Sequence, residues 1–271
     1  MSSNTEFQII NPNSLISKNE YLWRYMDLFK FIDFMRNKSL PFARMDLFED
    51  PLEGIPLKTI LSFAEPIINA RLAQISISDL LLDDDLLSKF SPEIKEQVEK
   101  IHIIQKRTYV SCWFKSESES MAMWNLYSNP SGVVIRFNTK YLIDIINQSY
   151  KLLKENNYNI VSGYCGNVHY QSFSTIKPFQ DNEKNKTPRV GLRKEKSYEH
   201  EKEVRFVINL RNIEPENLII NLPMDDFNFN RLQIISHPKM KHWQFENLKW
   251  ILKNESLDKF LKQSVIKLRN S

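Results

Sequence analysis

The sequence predicts an α+β fold, with a mixed or mostly antiparallel sheet core and an N-terminal helical insertion. Three observations predict it. Runs rich in β-branched and aromatic residues recur, as at Thr108-Tyr109-Val110-Ser111-Cys112-Trp113-Phe114 and Gly132-Val133-Val134-Ile135-Arg136-Phe137. Stretches with apolar residues at helical spacing lie between them, such as Leu142 to Lys154. There is no internal repeat and only 5 of 271 residues are glycine, which argues against propellers, solenoids and Gly-rich dinucleotide turns.

Along the chain, Tyr21 to Met26 reads as a strand, and Asp27 as the N-cap of an amphipathic helix from Leu28 to Arg36. Leu40-Pro41-Phe42-Ala43 is a second extended segment, and Arg44 to Gly54 a charged turn. Residues 55–106 form the helical insertion, with Ile60, Phe63, Ile67 and Ile68 on one face and a polar break at Asp83-Asp84-Asp85. After the strand at 108–114 come a short helix around Ala122 to Tyr127, the strand at 132–137 and the helix at 142–154. Strands near Ser162 to Tyr170 and Val204 to Leu210 flank a polar linker, Gln180 to Arg193. Leu218 to Ile220 and Leu232 to Ile235 add strand character, then a helix from Trp243 to Leu252 and a last strand, Val265 to Leu268.

A hydrophobic content of 42% supports one full core, so residues 1–271 are expected to form a single domain. The net charge of +4 is spread along the chain and does not indicate a polyanion partner. Cys112 and Cys165 sit in apolar strand-like segments, which suits a reducing compartment. No apolar run approaches the ~18 residues of a membrane span, and the polar start lacks signal-peptide character, so a cytoplasmic location is expected.

The chemically suggestive segment is Tyr198-Glu199-His200-Glu201-Lys202-Glu203-Val204-Arg205-Phe206. On a strand, Glu199, Glu201 and Glu203 would share one face, an unfavourable crowding of like charge unless cations or a ligand offset it. His200 would point the other way, either as a structural histidine or as a catalytic one. The five histidines show no HExxH and no tight pair, so no metal site is expected. Cys112 reads as a buried small hydrophobe in place of a nucleophile. Asp83 to Asp85 reads either as a solvated helix edge or as a cation site. In Glu49-Asp50-Pro51-Leu52-Glu53, Asp50 and Pro51 suffice to start a helix; alternatively Arg44, Asp50 and Glu53 rim a cleft shared with the glutamates.

Taken in order, Trp23-Arg24-Tyr25, Phe42 through Glu53, Tyr109 to Phe114, Met123-Trp124-Asn125-Leu126-Tyr127, Gly132 to Ile135 and Tyr198 to Arg205 resemble the bacterial domain of unknown function 2971, over roughly residues 20 to 237. The chain departs from that pattern at Glu49 and Val204. A looser resemblance links Arg24, Ser111 and Glu201-Lys202-Glu203 to ADP-ribosyltransferases of the Arg-Ser-Glu type. That resemblance implies NAD as substrate and a bacterial toxin or phage-defence effector that modifies a protein or nucleic-acid acceptor. It implies that Arg24 binds the pyrophosphate, Ser111 supports the nicotinamide ribose, and Glu203 stabilises the oxocarbenium-like transition state. Glu201 would orient or deprotonate the acceptor, and Tyr25, Phe42 or Trp113 would stack on nicotinamide. The residues themselves also permit ordinary ion pairs of the glutamates with Arg205, Lys194 or Lys196, a non-enzymatic ligand-binding domain, or a metal-dependent hydrolase using Asp50, Glu53, Glu201 and Glu203.

Overall fold

The computed structural model describes residues 7–11, 15, 21–56, 77–156, 159–171, 189–224 and 231–268. The apolar stripe expected at Ile60, Phe63, Ile67 and Ile68, and most of the linker from Gln180, lie outside them. The architecture is α+β around one large mixed sheet.

The strands are β1 (Gln8–Ile9), β2 (Tyr21–Met26), β3 (Ser39–Arg44), β4 (Thr108–Ser116), β5 (Val133–Asn138), β6 (Ile160–Asn167), β7 (His169–Tyr170), β8 (Arg193–Lys194), β9 (Glu203–Leu210), β10 (Ile219–Pro223), β11 (Gln233–Ser236) and β12 (Leu261–Gln263). Ten of them form a sheet whose main path runs β1-β6-β9-β4-β2-β5-β11-β12. The pairs β1/β6 and β11/β12 are parallel and the rest of the path is antiparallel. β4 is long enough to be shared. One edge meets β9 from Thr108 to Phe114, while the other meets β3 at Tyr109 and Val110 and β2 from Phe114 to Ser116. The sheet therefore forks at the middle of β4, with β3 and β10 on the shorter prong.

Two helices cover one face. In α1 (Leu28–Asn37), Asp27 accepts from the Lys30 amide, and Phe31, Phe34 and Met35 point inward. In α6 (Thr139–Glu155), capped by Asn138, the buried stripe includes Leu142, Ile145, Ile146 and Tyr150. Both belong to the main core with Leu22, Tyr109, Trp113, Val204 and Phe206 from the sheet.

The opposite face carries two smaller clusters. One packs Val110, Tyr164 and Val207 under α2 (Ile77–Leu82) and α4 (Pro92–Arg107) of the helical insertion. The other gathers Trp23, Tyr25, Phe114 and Val134 against Trp124 of α5 (Met121–Tyr127). Between α2 and α4, the Asp83 carboxylate caps α3 (Asp84–Ser88) by accepting from the Leu86 amide, and Asp84 and Asp85 stand exposed in its first turn. The acidic triplet is a helix start.

The chain departs from the sequence expectation at its last strand and at Asp50. The last strand is β12, ahead of Val265 to Leu268, because the Glu119 carboxylate accepts from Ser264 Oγ and the Val265 amide and draws the chain off the sheet. Asp50 does not start a helix: its carboxylate accepts from the Leu52 amide and closes a turn over residues 51–54.

Candidate functional site

Tyr198 to Arg205 is not one strand. Lys196–Glu201 is a 3-10 turn, ended by Lys202 in the left-handed conformation at φ +42°, and β9 begins only at Glu203. Glu199 is exposed and pairs with Lys196, and His200 is exposed with Nδ1 against the Ser197 carbonyl. The turn folds Glu201 back toward Glu203, so these two carboxylates converge by a route other than strand alternation.

Register decides which other residues can join them. Trp23, Phe114 and Glu203 lie in line across β2, β4 and β9 and share a face. Arg24, Ser111 and Trp113 are an odd number of residues from that line, so they point to the other face. There the Arg24 guanidinium donates to Ser111 Oγ at 2.7 Å and to the Pro41 carbonyl at 3.3 Å, filling the fork between β2 and β3. Burial lowers its pKa, and among the described residues no carboxylate pairs with it. Arg24 and Ser111 thus meet each other, but not Glu201 and Glu203. The three expected stacking aromatics are core residues. Phe42 is buried in the main core, Trp113 donates its indole N–H to Ser111, and Tyr25 stands edge-on to Trp124 with its hydroxyl accepting from the Ser120 amide. None offers an open ring face to a ligand.

The glutamate face holds a buried ion network in the gap between the two smaller clusters. Lys194 Nζ lies 2.5 Å from Glu201, 3.1 Å from Glu203 and 3.5 Å from Glu53. Arg205 donates through Nε to Glu203 at 2.5 Å, through Nη2 to Glu53, and to the Gly191 carbonyl at 3.1 Å. All five charged side chains are less than one-tenth exposed. Three carboxylates thus share two cations, with an ammonium at the point where a divalent cation would sit. Tyr198 lays its ring 4.5 Å from the Lys194 ammonium, and the Glu203 amide donates to the Tyr170 hydroxyl at 2.7 Å.

Glycine geometry delivers Glu53. Gly54 and Gly191 both have positive φ, and the Gly191 amide donates to the Gly54 carbonyl at 2.7 Å while Gly54 donates to Arg193. A Cβ on Gly54 would stand 2.9 Å from the Gly191 Cα, so side chains at this crossing would push the turn away from β8. Of the three residues expected at a rim, only Glu53 joins the network, since Arg44 pairs with Asp46.

The network divides the two neighbouring carboxyls. Burial alone would raise Glu203, but Arg205 and Lys194 outweigh it and hold this carboxyl well below the usual range. Glu201 is raised to about 7 by burial and by its ionised neighbour. Burial would likewise lower Lys194, yet Glu203 and Glu53 keep it charged. Tyr127 donates to Glu201 at 2.6 Å and is 44% exposed, so it links the sealed carboxyl to the surface. Burial and that hydrogen bond both push the phenol up, so Tyr127 remains a donor at neutral pH. Cys112 lies on the same face, and burial pushes its thiol up, away from thiolate chemistry.

Residues 123–206 match the model of a family described as a protein of unknown function, DUF2971. The chain carries a DUF2971 segment. Tyr127, Lys194, Glu201, Glu203 and Arg205 all fall within it, whereas Arg24, Ser111 and Glu53 fall outside. The DUF2971 match thus covers four of the five charges of the network and not the Arg24 side of the sheet. Neither the curated proteins nor the solved structures give a match to the chain. Tyr127 ends the motif Met123 to Tyr127, and its contact with Glu201 depends on α5 folding over the 3-10 turn, which no local pattern reveals.

Proposed function

We propose that this chain is an enzyme that breaks an N-glycosidic bond, with NAD as substrate and ADP-ribosyl transfer as the reaction. The observation that carries the reading is the divided carboxyl pair: Glu203 held ionised by two cations, beside Glu201 poised near neutrality under an exposed tyrosine. A fixed negative charge suits the oxocarbenium-like centre that develops at the ribose C1′ as the bond to nicotinamide breaks. The electron pair of that bond leaves with nicotinamide, neutralising its pyridinium charge. The acceptor's nucleophile then bonds to C1′ and its proton passes to Glu201, which is deprotonated in about half of the molecules near pH 7. Tyr127 orients Glu201 from the surface side.

Arg24 and Ser111 have no part in this site, because they face the far side of the sheet. Nicotinamide release from NAD by the parent protein, lost in Glu201→Gln with folding intact, is the expected result. A parent protein that releases no nicotinamide overturns the reading.

One observation favours a second reading. The five charges already satisfy one another in a buried setting, as in a structural ion cluster beneath a ligand-binding surface. NAD binding by calorimetry without nicotinamide release distinguishes this sensor from the transferase.

A further inference from the structure

The net positive charge of the chain is matched by the excess in a single segment. Residues 239–268 hold seven lysines against three acidic residues, an excess of four that equals the formal net charge of the whole chain. All seven lysines are exposed, and among the described residues none pairs with a carboxylate. Four of them, Lys239, Lys241, Lys249 and Lys253, precede or lie on α7 (His242–Asn254).

The same helix presents Trp243 and Trp250, 61% and 67% exposed. Seven residues apart, they stand on one side of the helix, roughly 10 Å from each other along its axis. The inward side is occupied by Leu248 and Leu252 in the main core. The outward side is no continuous apolar stripe, since Glu246 and Asn247 separate the indoles, and it therefore lacks the face that an interfacial membrane helix buries. Isolated flat rings among unpaired ammonium groups suit a ligand that offers both aromatic faces and regularly spaced negative charge.

We infer that the outer face of α7 binds single-stranded nucleic acid, stacking bases on Trp243 and Trp250 while Lys239, Lys241, Lys249 and Lys253 hold the phosphates. The face connects to the glutamate site. Gln244 of α7 donates to Ser131 Oγ at 2.9 Å, and the segment Leu126-Tyr127-Ser128-Asn129-Pro130, exposed except for the half-buried Ser128, leads from there to the tyrosine over Glu201.

The test uses a labelled oligothymidylate of about 20 nucleotides, a length that spans one such surface. The parent protein should bind it with an affinity that falls steeply with salt. Its tryptophan emission should be quenched on binding, because Trp23, Trp113 and Trp124 are fully buried and only the α7 pair can report contact. The double variant W243A/W250A should lose about tenfold or more in affinity, and K249E/K253E should weaken binding and flatten its salt dependence. Glu201→Gln should bind like the parent, so the outcome is independent of the glycosyl-transfer reading. Absence of binding at low salt, equal binding by W243A/W250A, or capture by phosphatidylserine vesicles in place of the oligonucleotide overturns the inference.

Discussion

Replacing Glu201 with glutamine isolates the energetic cost of placing a second carboxyl beside Glu203. In the folded chain Glu201 takes up its proton at about 7, against 4.5 for a free side chain. The folded state therefore binds this proton more tightly than the unfolded state. Its contribution to stability is complete below pH 4.5 and lost as pH rises through 7. At 1.36 kcal/mol for each tenfold change in proton affinity, the loss amounts to roughly 3 kcal/mol. Glutamine cannot ionise and escapes that loss, and because Glu201 is itself neutral at low pH the remaining cost of the replacement is a constant offset. The stability of Glu201→Gln relative to the parent should thus rise by about 3 kcal/mol between pH 4.5 and pH 8. Urea unfolding at closely spaced pH values, followed by circular dichroism, measures this difference directly. A difference that stays flat with pH would refute the divided-carboxyl account, since it would mean that Glu201 titrates alike in both states.

Three further outcomes follow from the same geometry. Arg205→Met leaves Glu53 and Glu203 short of a buried cation and should cost about 3 to 5 kcal/mol in denaturant stability. Arg24→Met removes a buried cation that pairs with no carboxylate among the described residues; it should change stability by no more than about 1 kcal/mol and leave nicotinamide release intact in a steady-state assay. Gly54→Ala combines a φ of +71° with a Cβ clash against the Met45 sulfur, so it should lower the melting temperature by several degrees.

Local sequence signals were enough for the sheet and its flanking helices. Asp27 before an apolar 3.6-residue pattern marked α1, and the β-branched runs at 108–114 and 132–137 marked β4 and β5. The glutamate segment was visible as a site because three carboxylates so close together require compensation. Its shape was not visible, because alternation at Glu199, Glu201 and Glu203 looks the same in a strand and in a 3-10 turn followed by a left-handed residue. The faces of the strands were less legible still. Whether Arg24 and Glu203 share a side depends on the register between β2, β4 and β9, a long-range property that no local pattern encodes. Tyr25, Phe42 and Trp113 looked like ligand-stacking rings by type, yet a chain with this many aromatics uses most of them for packing.

The fork in the sheet carries a consequence for the exchange of backbone hydrogens with solvent. The Lys115 amide donates to the Lys202 carbonyl, which fixes the direction of alternate amides along β4: Ser111 and Trp113 toward β9, Val110, Cys112 and Phe114 toward the other edge. Val110 has β3 opposite it and Phe114 has β2, but Cys112 falls in the gap between the prongs with no strand in register. Its amide should lose protection well before those of its two sequence neighbours, making the centre of the longest strand a point of local opening. The Arg24 guanidinium is wedged into that opening, so swapping it for a smaller side chain should speed exchange at Cys112 far more than at Val110.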